Sequence, residues 1–252
     1  MTATRRACQV RRVGIEGFAV SGVCERCGCS LCAELNGMQP PLHTLLGVST
    51  PASRVLVESD NWVVVPTLGS LVPGHIMLVP RGHFYSALAC PEPLLRECDA
   101  MVDRCAIRLR DLYGQQVVMF EHGAEPGTPG RCGACIEHAH LHLLPGPRRF
   151  VRSVTSTGHG WISARTLLDL RAELGASAYL LAGELLPGRT IFARRPDAEV
   201  PSQFLRKVFA AEVGNTQTWD WRKFPRAEGL LQTMRDWTAG ATDSPNSNTV
   251  VS

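Results

Sequence analysis

Hydrophobic residues in the first half of the chain occur in short runs that Pro and Gly separate, a pattern typical of paired β-strands. β-rich runs lie near 53–57, 62–66 and 75–80, and we expect them to pair antiparallel. The run QQVVMF at 115–120 predicts another strand. Strict alternation of polar and apolar residues over 138–142 predicts a further strand with two different faces.

A longer segment has the helical period instead. Apolar residues over 92–113 recur at intervals of three and four, with Pro93 in the first turn and Gly114 just past the end. The apolar face consists of Leu94, Cys98, Met101, Val102, Cys105, Leu109 and Leu112. This segment predicts one long helix packed against the sheet.

The pattern of apolar positions changes after residue 150, where it predicts three helices and one hairpin. The expected elements are a helix over 164–175 closed by Gly175, a hairpin over 178–195 turning near Pro187–Gly188, a helix over 202–214 with Ser202 as N-cap, and a helix over 226–239. Basic residues late in the chain, including Arg206 and Lys207, are interpreted mostly as a solvated face.

These patterns divide the chain into four parts. We expect a flexible N-terminus (1–23), a catalytic domain (24–150), an extension packed on it (151–239) and a disordered tail (240–252). The 252 residues are 44% hydrophobic and 19% charged, as in ordinary soluble globular proteins. No apolar run is long enough to span a membrane, and the N-terminus lacks a secretory h-region, so we expect a cytoplasmic protein.

Ten cysteines are many for a cytoplasmic chain of this length. Four crowd into CERCGCSLC at 24–32, and two more form CGAC at 132–135. In a reducing compartment, C-x-x-C spacing indicates metal ligation or redox chemistry before it indicates disulfides.

Three of the eight histidines, His138, His140 and His142, occupy five consecutive positions. In a strand their imidazoles would share one face. A glycine-rich loop precedes them, and its N–H groups could contact phosphate oxygens while one imidazole attacks phosphorus and a neighbour stabilises the developing charge. The spacing alone leaves two alternatives open, three ligands of one metal or chance polar decoration of a sheet.

The order of the motifs along the chain favours catalysis over a shared metal or chance polar decoration. His138-Ala-His140-Leu-His142-Leu-Leu resembles the His-φ-His-φ-His-φ-φ signature (φ, apolar) of the histidine triad superfamily. The upstream NWVVVPTLGSLVPGHIMLVPRGH is similar to that family's opening hairpin, and MFEHG followed by CGACIEHAHLHLLP is similar to a bacterial branch. The resemblance covers about residues 27–150. It implies an α+β fold, a histidine-triad-like antiparallel sheet flanked by helices, with an N-terminal zinc knuckle and a C-terminal α/β extension.

The resemblance also implies an activity. Family members are nucleotide hydrolases or nucleotidyltransferases that pass through a nucleotidyl-histidine intermediate, so the nucleophile here would be His140. His142 would contact the α-phosphate and the leaving group. The substrate would be a nucleotide or a nucleotidylated small molecule, held by Thr67, Glu121, His122, Gly130 and Gly133.

One position departs from the family pattern. Many members carry an acidic residue after the first hairpin strand, where it holds the ribose hydroxyls, and this chain has Thr67 there. The ribose contact, and with it an ordinary adenine nucleotide as substrate, is therefore not assured by the resemblance.

A structural zinc is the implied cofactor. In zinc-bearing relatives a C-x-x-C, a His after the hairpin and the first His of the triad hold the metal, which maps to Cys29, Cys32, His83 and His138. A Cys₄ site with Cys24 and Cys27 is the alternative. Three roles stay open for Cys132 and Cys135. They are ordinary loop residues, further zinc ligands with Cys24 and Cys27, or a redox pair.

Three functions remain to be distinguished. The first is a hydrolase or transferase acting on a phosphoanhydride, a phosphoramidate or a nucleotidylated small molecule, with the extension covering the site and selecting a special substrate or acceptor. The second is an inactive zinc-containing nucleotide-binding or scaffold protein. The third, nucleic-acid end processing as in the aprataxin-like branch, is disfavoured by a net charge of only +3. No membrane partner is expected, and a homodimer is considered.

Overall fold

The strands of the protein form one sheet, to which both halves of the chain contribute. The computed structural model describes residues 29–38, 53–127, 136, 138–196 and 200–242. In this part of the chain eight strands form a sheet in the order β1-β2-β3-β5-β4-β7-β8-β6, and every adjacent pair is antiparallel. The strands are β1 (Val57–Glu58), β2 (Trp62–Pro66), β3 (Ile76–Pro80), β4 (Val117–Gly123), β5 (Leu141–Pro145), β6 (Ile162–Ala164), β7 (Tyr179–Glu184) and β8 (Thr190–Arg194).

Helices cover the sheet on both faces. They are α1 (Ser30–Leu35), α2 (Glu92–Tyr113), α3 (Arg149–Thr155), α4 (Leu167–Leu174), α5 (Phe204–Glu212) and α6 (Ala227–Thr242). Since the strands pair antiparallel and the helices lie outside the sheet, the expected α+β fold with a helix-flanked antiparallel sheet is confirmed.

The first hairpin joins β2 and β3 in the register Trp62↔Pro80 to Pro66↔Ile76. All five residues of each strand are buried, which explains why these runs are continuously apolar and do not alternate. The strand expected near 53–57 is shorter and later than predicted, since pairing in β1 covers only Val57–Glu58.

Helix α2 has the predicted bounds and packs its apolar face on β4 and β5. Its residues Cys98, Val102 and Leu109 share one buried cluster with Met119 and Leu141. Gly114 ends the helix in the left-handed region at φ 63°, where glycine carries no Cβ penalty.

The residues after 150 extend the same sheet through β7, which pairs with β4 from Val118↔Glu184 to Gly123↔Tyr179. One expectation here is wrong. Ser202 does not cap α5, because the helix begins after Gln203, which has φ 60° and takes the N-cap position. The Ser202 hydroxyl instead accepts a hydrogen bond from Arg222 at 2.8 Å.

Several predictions concern residues outside the described ranges. These are the flexible N-terminus, Cys24, Cys27, Gly130, Cys132, Gly133, Cys135 and most of the tail predicted over 240–252, whose first three residues lie in α6. The domain boundaries proposed from the sequence stay predictions. Among the helices described, none has the length and apolar content that crossing a membrane requires.

Candidate active site and metal cluster

The histidine segment enters the sheet at its centre, between β3 and β4. Pairing of β5 begins at Leu141↔Leu78, so His142 lies in the strand while His138 and His140 lie in the extended segment just before it. The Ala139 N–H donates to the Phe84 carbonyl at 2.7 Å and holds this segment in place. The predicted strand over 138–142 is therefore paired only in its second half.

The backbone of the segment determines the tautomer of His140. Its Nδ1 lies 2.6 Å from the carbonyl oxygen of His138, and a carbonyl can only accept, so Nδ1 carries the proton. The lone pair of the neutral ring is then on Nε2. Burial is the main cause that lowers the pKa of His140 to about 4, so the ring is neutral at pH 7. A neutral imidazole with a bare Nε2 is the form that attacks an electrophile.

His142 has the opposite tautomer, and a second histidine imposes it. The Leu71 N–H donates to Nδ1 of His75 at 3.2 Å, so the proton of neutral His75 is on Nε2. That Nε2 lies 2.9 Å from Nδ1 of His142 and donates to it. His142 therefore carries its own proton on Nε2 and presents it as a donor. His75 lies outside the triad motif, and the sequence predicts for it only a hydrogen bond within its turn.

Phe120 packs against His142. Its ring stacks on His142 with centroids 4.5 Å apart and an interplanar angle of 26°. The rings of His140 and His142 are 5.0 Å apart and nearly perpendicular. Burial is also the main cause that holds the pKa of His142 well below its usual range, so both imidazoles are neutral together.

His122, expected to contact substrate, lies beside this cluster at the end of β4. Its Nε2 accepts the Leu205 N–H from the first turn of α5 at 3.0 Å, which brings the extension onto the histidine face of the sheet. Burial lowers the pKa of His122 to about 3. His140 and His142 are only 6% and 4% exposed, so the histidines do not lie on the open face that a bare strand would present.

Two other residues expected to hold substrate have internal partners. The Glu121 carboxylate accepts the Ala87 N–H at 3.0 Å and the Tyr179 hydroxyl, on the α2 side of the sheet. Burial raises its pKa to about 7. The Thr67 hydroxyl donates to the Leu68 carbonyl at 3.2 Å. These bonds favour a supporting role for both side chains over a direct substrate contact.

A second cluster lies next to the first histidine. The four residues are Cys29, Cys32, His83 and His138, and their ligand atoms all lie within 4.8 Å of one another. The Cys32 thiol is 3.3 Å from Nδ1 of His83 and 3.4 Å from Nδ1 of His138. Tetrahedral zinc, with Zn–S about 2.3 Å and Zn–N about 2.0 Å, separates S and N ligands by about 3.5 Å. The residues present therefore fit a zinc ion.

Local hydrogen bonds place the two thiols and the His138 ring so that they can bind a metal ion. Cys29 is the N-cap of α1, where its sulfur accepts the Cys32 N–H. Hydrogen bonding from Cys32 is the main cause that lowers the pKa of the Cys29 thiol far below its usual value. His138 donates from Nε2 to the Pro80 carbonyl at 2.9 Å, which leaves Nδ1 free to ligate.

Helix α1 is fastened to the sheet by a buried ion pair. Arg54 donates to both carboxylate oxygens of Glu34 at 2.6 and 2.8 Å, and its third bond goes to the Pro66 carbonyl at the end of β2. The pair thus holds the two thiols against the hairpin that precedes His83.

Comparison with known proteins gives similarities at low identity. No family model matches the chain. CWF19-like protein 1 of Xenopus laevis is 26% identical over 203 residues, which are 72% of this chain and 34% of that protein. The chain therefore spans about a third of the length of this curated relative.

Solved histidine triad proteins are among the structures to which the chain is similar. One from Clostridium difficile is 21% identical, covers 49% of this chain and 95% of its own, and has a TM-score of 0.35. A hypothetical histidine triad nucleotide-binding protein from Sulfolobus tokodaii is 14% identical, with coverages of 74% and 93% and a TM-score of 0.37. A Zn-bound family protein from Mycobacterium smegmatis is 18% identical, with coverages of 48% and 76% and a TM-score of 0.36.

Proposed function

We propose that the protein is a nucleotide hydrolase or nucleotidyltransferase that works through a nucleotidyl-histidine intermediate on His140. The observation that carries this proposal is the complementary pair of tautomers. His140 has a bare Nε2 because Nδ1 donates to the His138 carbonyl, and His142 has a protonated Nε2 because Nδ1 accepts from His75. One ring supplies an electron pair and its neighbour supplies a proton.

The reaction follows from these two states. The Nε2 lone pair of His140 forms a bond to the α-phosphorus, and the bond from phosphorus to the leaving group breaks. The leaving oxygen or nitrogen takes the Nε2 proton of His142 as its charge develops. Water or a second substrate then attacks phosphorus and gives a proton back to Nε2 of His142, and the phosphorus–nitrogen bond breaks to return both histidines to their starting states. Phosphoanhydrides, phosphoramidates and nucleotidylated small molecules are all suited to this sequence.

The metal cluster has a separate role in the proposal. Cys29, Cys32, His83 and His138 would hold zinc as a closed set of two thiolates and two imidazoles, which leaves no coordination position for substrate. When bound, such an ion stabilises the fold around it. His138 would join the metal to the nucleophile, since its carbonyl accepts from His140 while its ring ligates.

The nature of the acceptor is inferred from the extension. Helix α5 contacts the site directly through the Leu205–His122 hydrogen bond, and the triad is nearly inaccessible to bulk water. Excluding water protects a reactive phosphohistidine from hydrolysis and favours a chosen acceptor. We therefore favour a specialised substrate or acceptor over general nucleotide clean-up. A named nucleotide-binding histidine triad protein among the similar structures is consistent with a nucleotide substrate.

The test is detection of the covalent intermediate. The protein is incubated with adenosine phosphoramidate and with dinucleoside polyphosphates, denatured rapidly, and digested for mass spectrometry. We expect an acid-labile nucleotidyl adduct on the peptide that carries His140. His140→Ala and His140→Gln should lose the adduct and several orders of magnitude of kcat, while His142→Ala should lose roughly 10²–10³-fold.

The matched control is His159→Gln, which changes an exposed histidine of the extension. It should retain wild-type rates. A wild-type protein that binds nucleotide but forms no adduct with any of these substrates would instead support the inactive nucleotide-binding alternative. Near-normal turnover by His140→Ala would show that the nucleophile is wrongly assigned.

A further inference from the structure

One arginine of the extension is buried against the histidine face. Arg206 lies in the first turn of α5 and is 3% exposed. Its Nε–H donates to the Trp219 carbonyl at 3.0 Å, and an Nη2–H donates to the Gly69 carbonyl in the loop between β2 and β3. Two carbonyls from different segments thus hold the guanidinium in one orientation.

Two contacts bring this end of the extension to the candidate active site. The Gly69 carbonyl that binds Arg206 lies two residues before Leu71, whose N–H orients His75. The residue before Arg206, Leu205, donates its N–H directly to His122, so the first turn of α5 rests on the histidine cluster. The Arg206 charge contributes to lowering the pKa of three imidazoles, on His75, His122 and His142, although burial is the larger cause for each. A charge that repels protons from all three rings attracts an anion placed among them.

We propose that Arg206 is an anion-binding residue of the histidine site, supplied by the extension, whose guanidinium holds a phosphoryl oxygen of the substrate. The inference rests on the proposed function and adds to it the group that carries positive charge, because the imidazoles are neutral. Arg206 is suited to this role since its orientation is fixed before substrate arrives. The N-terminal end of α5 adds a favourable dipole for the same anion.

Neighbouring Lys207 provides a matched control. It is one residue further along α5, carries the same charge, and is exposed, with its ammonium 5.8 Å from the Trp219 ring centroid. Replacing either residue by Gln changes the net charge of the protein equally. Only the Arg206 change should remove charge from the buried site.

The experiment measures binding of inorganic pyrophosphate and of adenosine monophosphate to the full chain by calorimetry. We expect Arg206→Gln to weaken both by about 10- to 100-fold, the usual effect of losing a charge-assisted hydrogen bond. Arg206→Lys keeps the charge but not the two carbonyl bonds that orient the guanidinium, so we expect a smaller loss than in Arg206→Gln, and Lys207→Gln should match wild type. Equal affinity of folded Arg206→Gln and wild type for both ligands would overturn the inference.

A second measurement does not depend on whether Arg206→Gln folds. In wild-type protein, the Arg206 Nε–H resonance, assigned by its disappearance in Arg206→Lys, should shift when pyrophosphate is added. Failure of Arg206 to respond while the His142 signals shift would reject Arg206 and leave the proposed function intact. If neither ligand binds wild type and no His140 adduct forms, the proposed function fails and the inference fails with it.

Discussion

Nε2 of His75 and Nδ1 of His142 lie 2.9 Å apart, so one imidazole donates to the other in the interior of the protein. The donor is itself oriented by the Leu71 N–H, which binds Nδ1 of His75. A loop N–H thereby determines which nitrogen of His142 carries a proton. The leaving-group donor of the proposed reaction depends on a histidine that lies outside the triad motif.

Removing this hydrogen bond should slow the chemical step. In His75→Phe the ring is kept but the donor to His142 is lost, so His142 can adopt the wrong tautomer. We expect adduct formation to slow by roughly tenfold, the value of one hydrogen bond of about 1.4 kcal/mol. Quenched-flow mass spectrometry measures the rate. If His75→Phe formed the adduct at the wild-type rate, the tautomer relay would have no catalytic role.

The metal cluster should contribute to stability more than to chemistry. Cys29→Ser and His83→Ala each remove a ligand, so we expect loss of bound zinc and a lower melting temperature. A loss of about 3 kcal/mol corresponds to roughly 6–12 °C in a chain of this size. Activity should fall only in parallel with the folded fraction.

Elemental analysis and thermal denaturation check this prediction. Cys98→Ala is the control, because Cys98 is a buried cysteine of α2 outside the cluster and should leave the metal content unchanged. Native protein purified without chelator and found free of zinc would contradict the assigned cofactor.

The hydrogen bond from Tyr179 to Glu121 should stabilise the junction between the extension and the catalytic strands. Tyr179 belongs to β7, and its ring packs where a Cβ on Gly123 would come within 2.3 Å of Cε1. Tyr179→Phe leaves a buried carboxyl with one partner fewer, which we expect to cost about 1–3 kcal/mol of unfolding free energy. Urea denaturation of Tyr179→Phe, Glu121→Gln and the double variant measures the coupling, and additive effects would show that the two side chains do not interact.

The buried histidines should make the protein sensitive to acid. The folded-state pKa of His122 is about 3, whereas an unfolded histidine titrates near 6.5. Between these values the unfolded chain binds the proton and the folded chain does not, so the unfolding free energy falls as pH is lowered below about 6.5. Each such histidine contributes up to about 1.4 kcal/mol per pH unit.

Stability measured by urea denaturation from pH 7.5 to 4.5 tests this expectation. His122→Gln removes one side chain that takes up a proton on unfolding. The unfolding free energy of this variant should therefore depend less steeply on pH than that of wild type. A His122→Gln slope as steep as the wild-type slope would exclude His122 as a contributor.

A chain that ends at residue 150 should not fold. Such a truncation removes β7, which is paired with the whole of β4, and uncovers Phe120 and Leu144, which share a buried cluster with Phe209 of α5. We expect the truncated chain to be insoluble or to lack a cooperative unfolding transition by circular dichroism. A soluble, cooperatively folding fragment 1–150 would show instead that the catalytic region is an independent domain.

The sequence by itself determined the elements whose signals are local. The period of α2 and the glycine that ends it depend on residues within the helix, so its bounds were predictable. The triad and the zinc ligands were proposed from the order of the motifs and from the family resemblance, since the histidine spacing alone also allowed a metal site. Ser202 failed as a cap because a cap depends on the backbone conformation at one residue, and Gln203 occupies that position.

Tertiary structure decided the protonation states and the cover of the site. The bond from His75 to His142 joins residues 67 positions apart, and the bond from Leu205 to His122 joins residues 83 apart. Arginine side chains are usually exposed, and Arg206 is buried only because α5 packs on the histidine face. Neutral imidazoles, a fixed tautomer and a buried cation all arise from desolvation and from contacts between distant segments. A local sequence pattern encodes none of these three features.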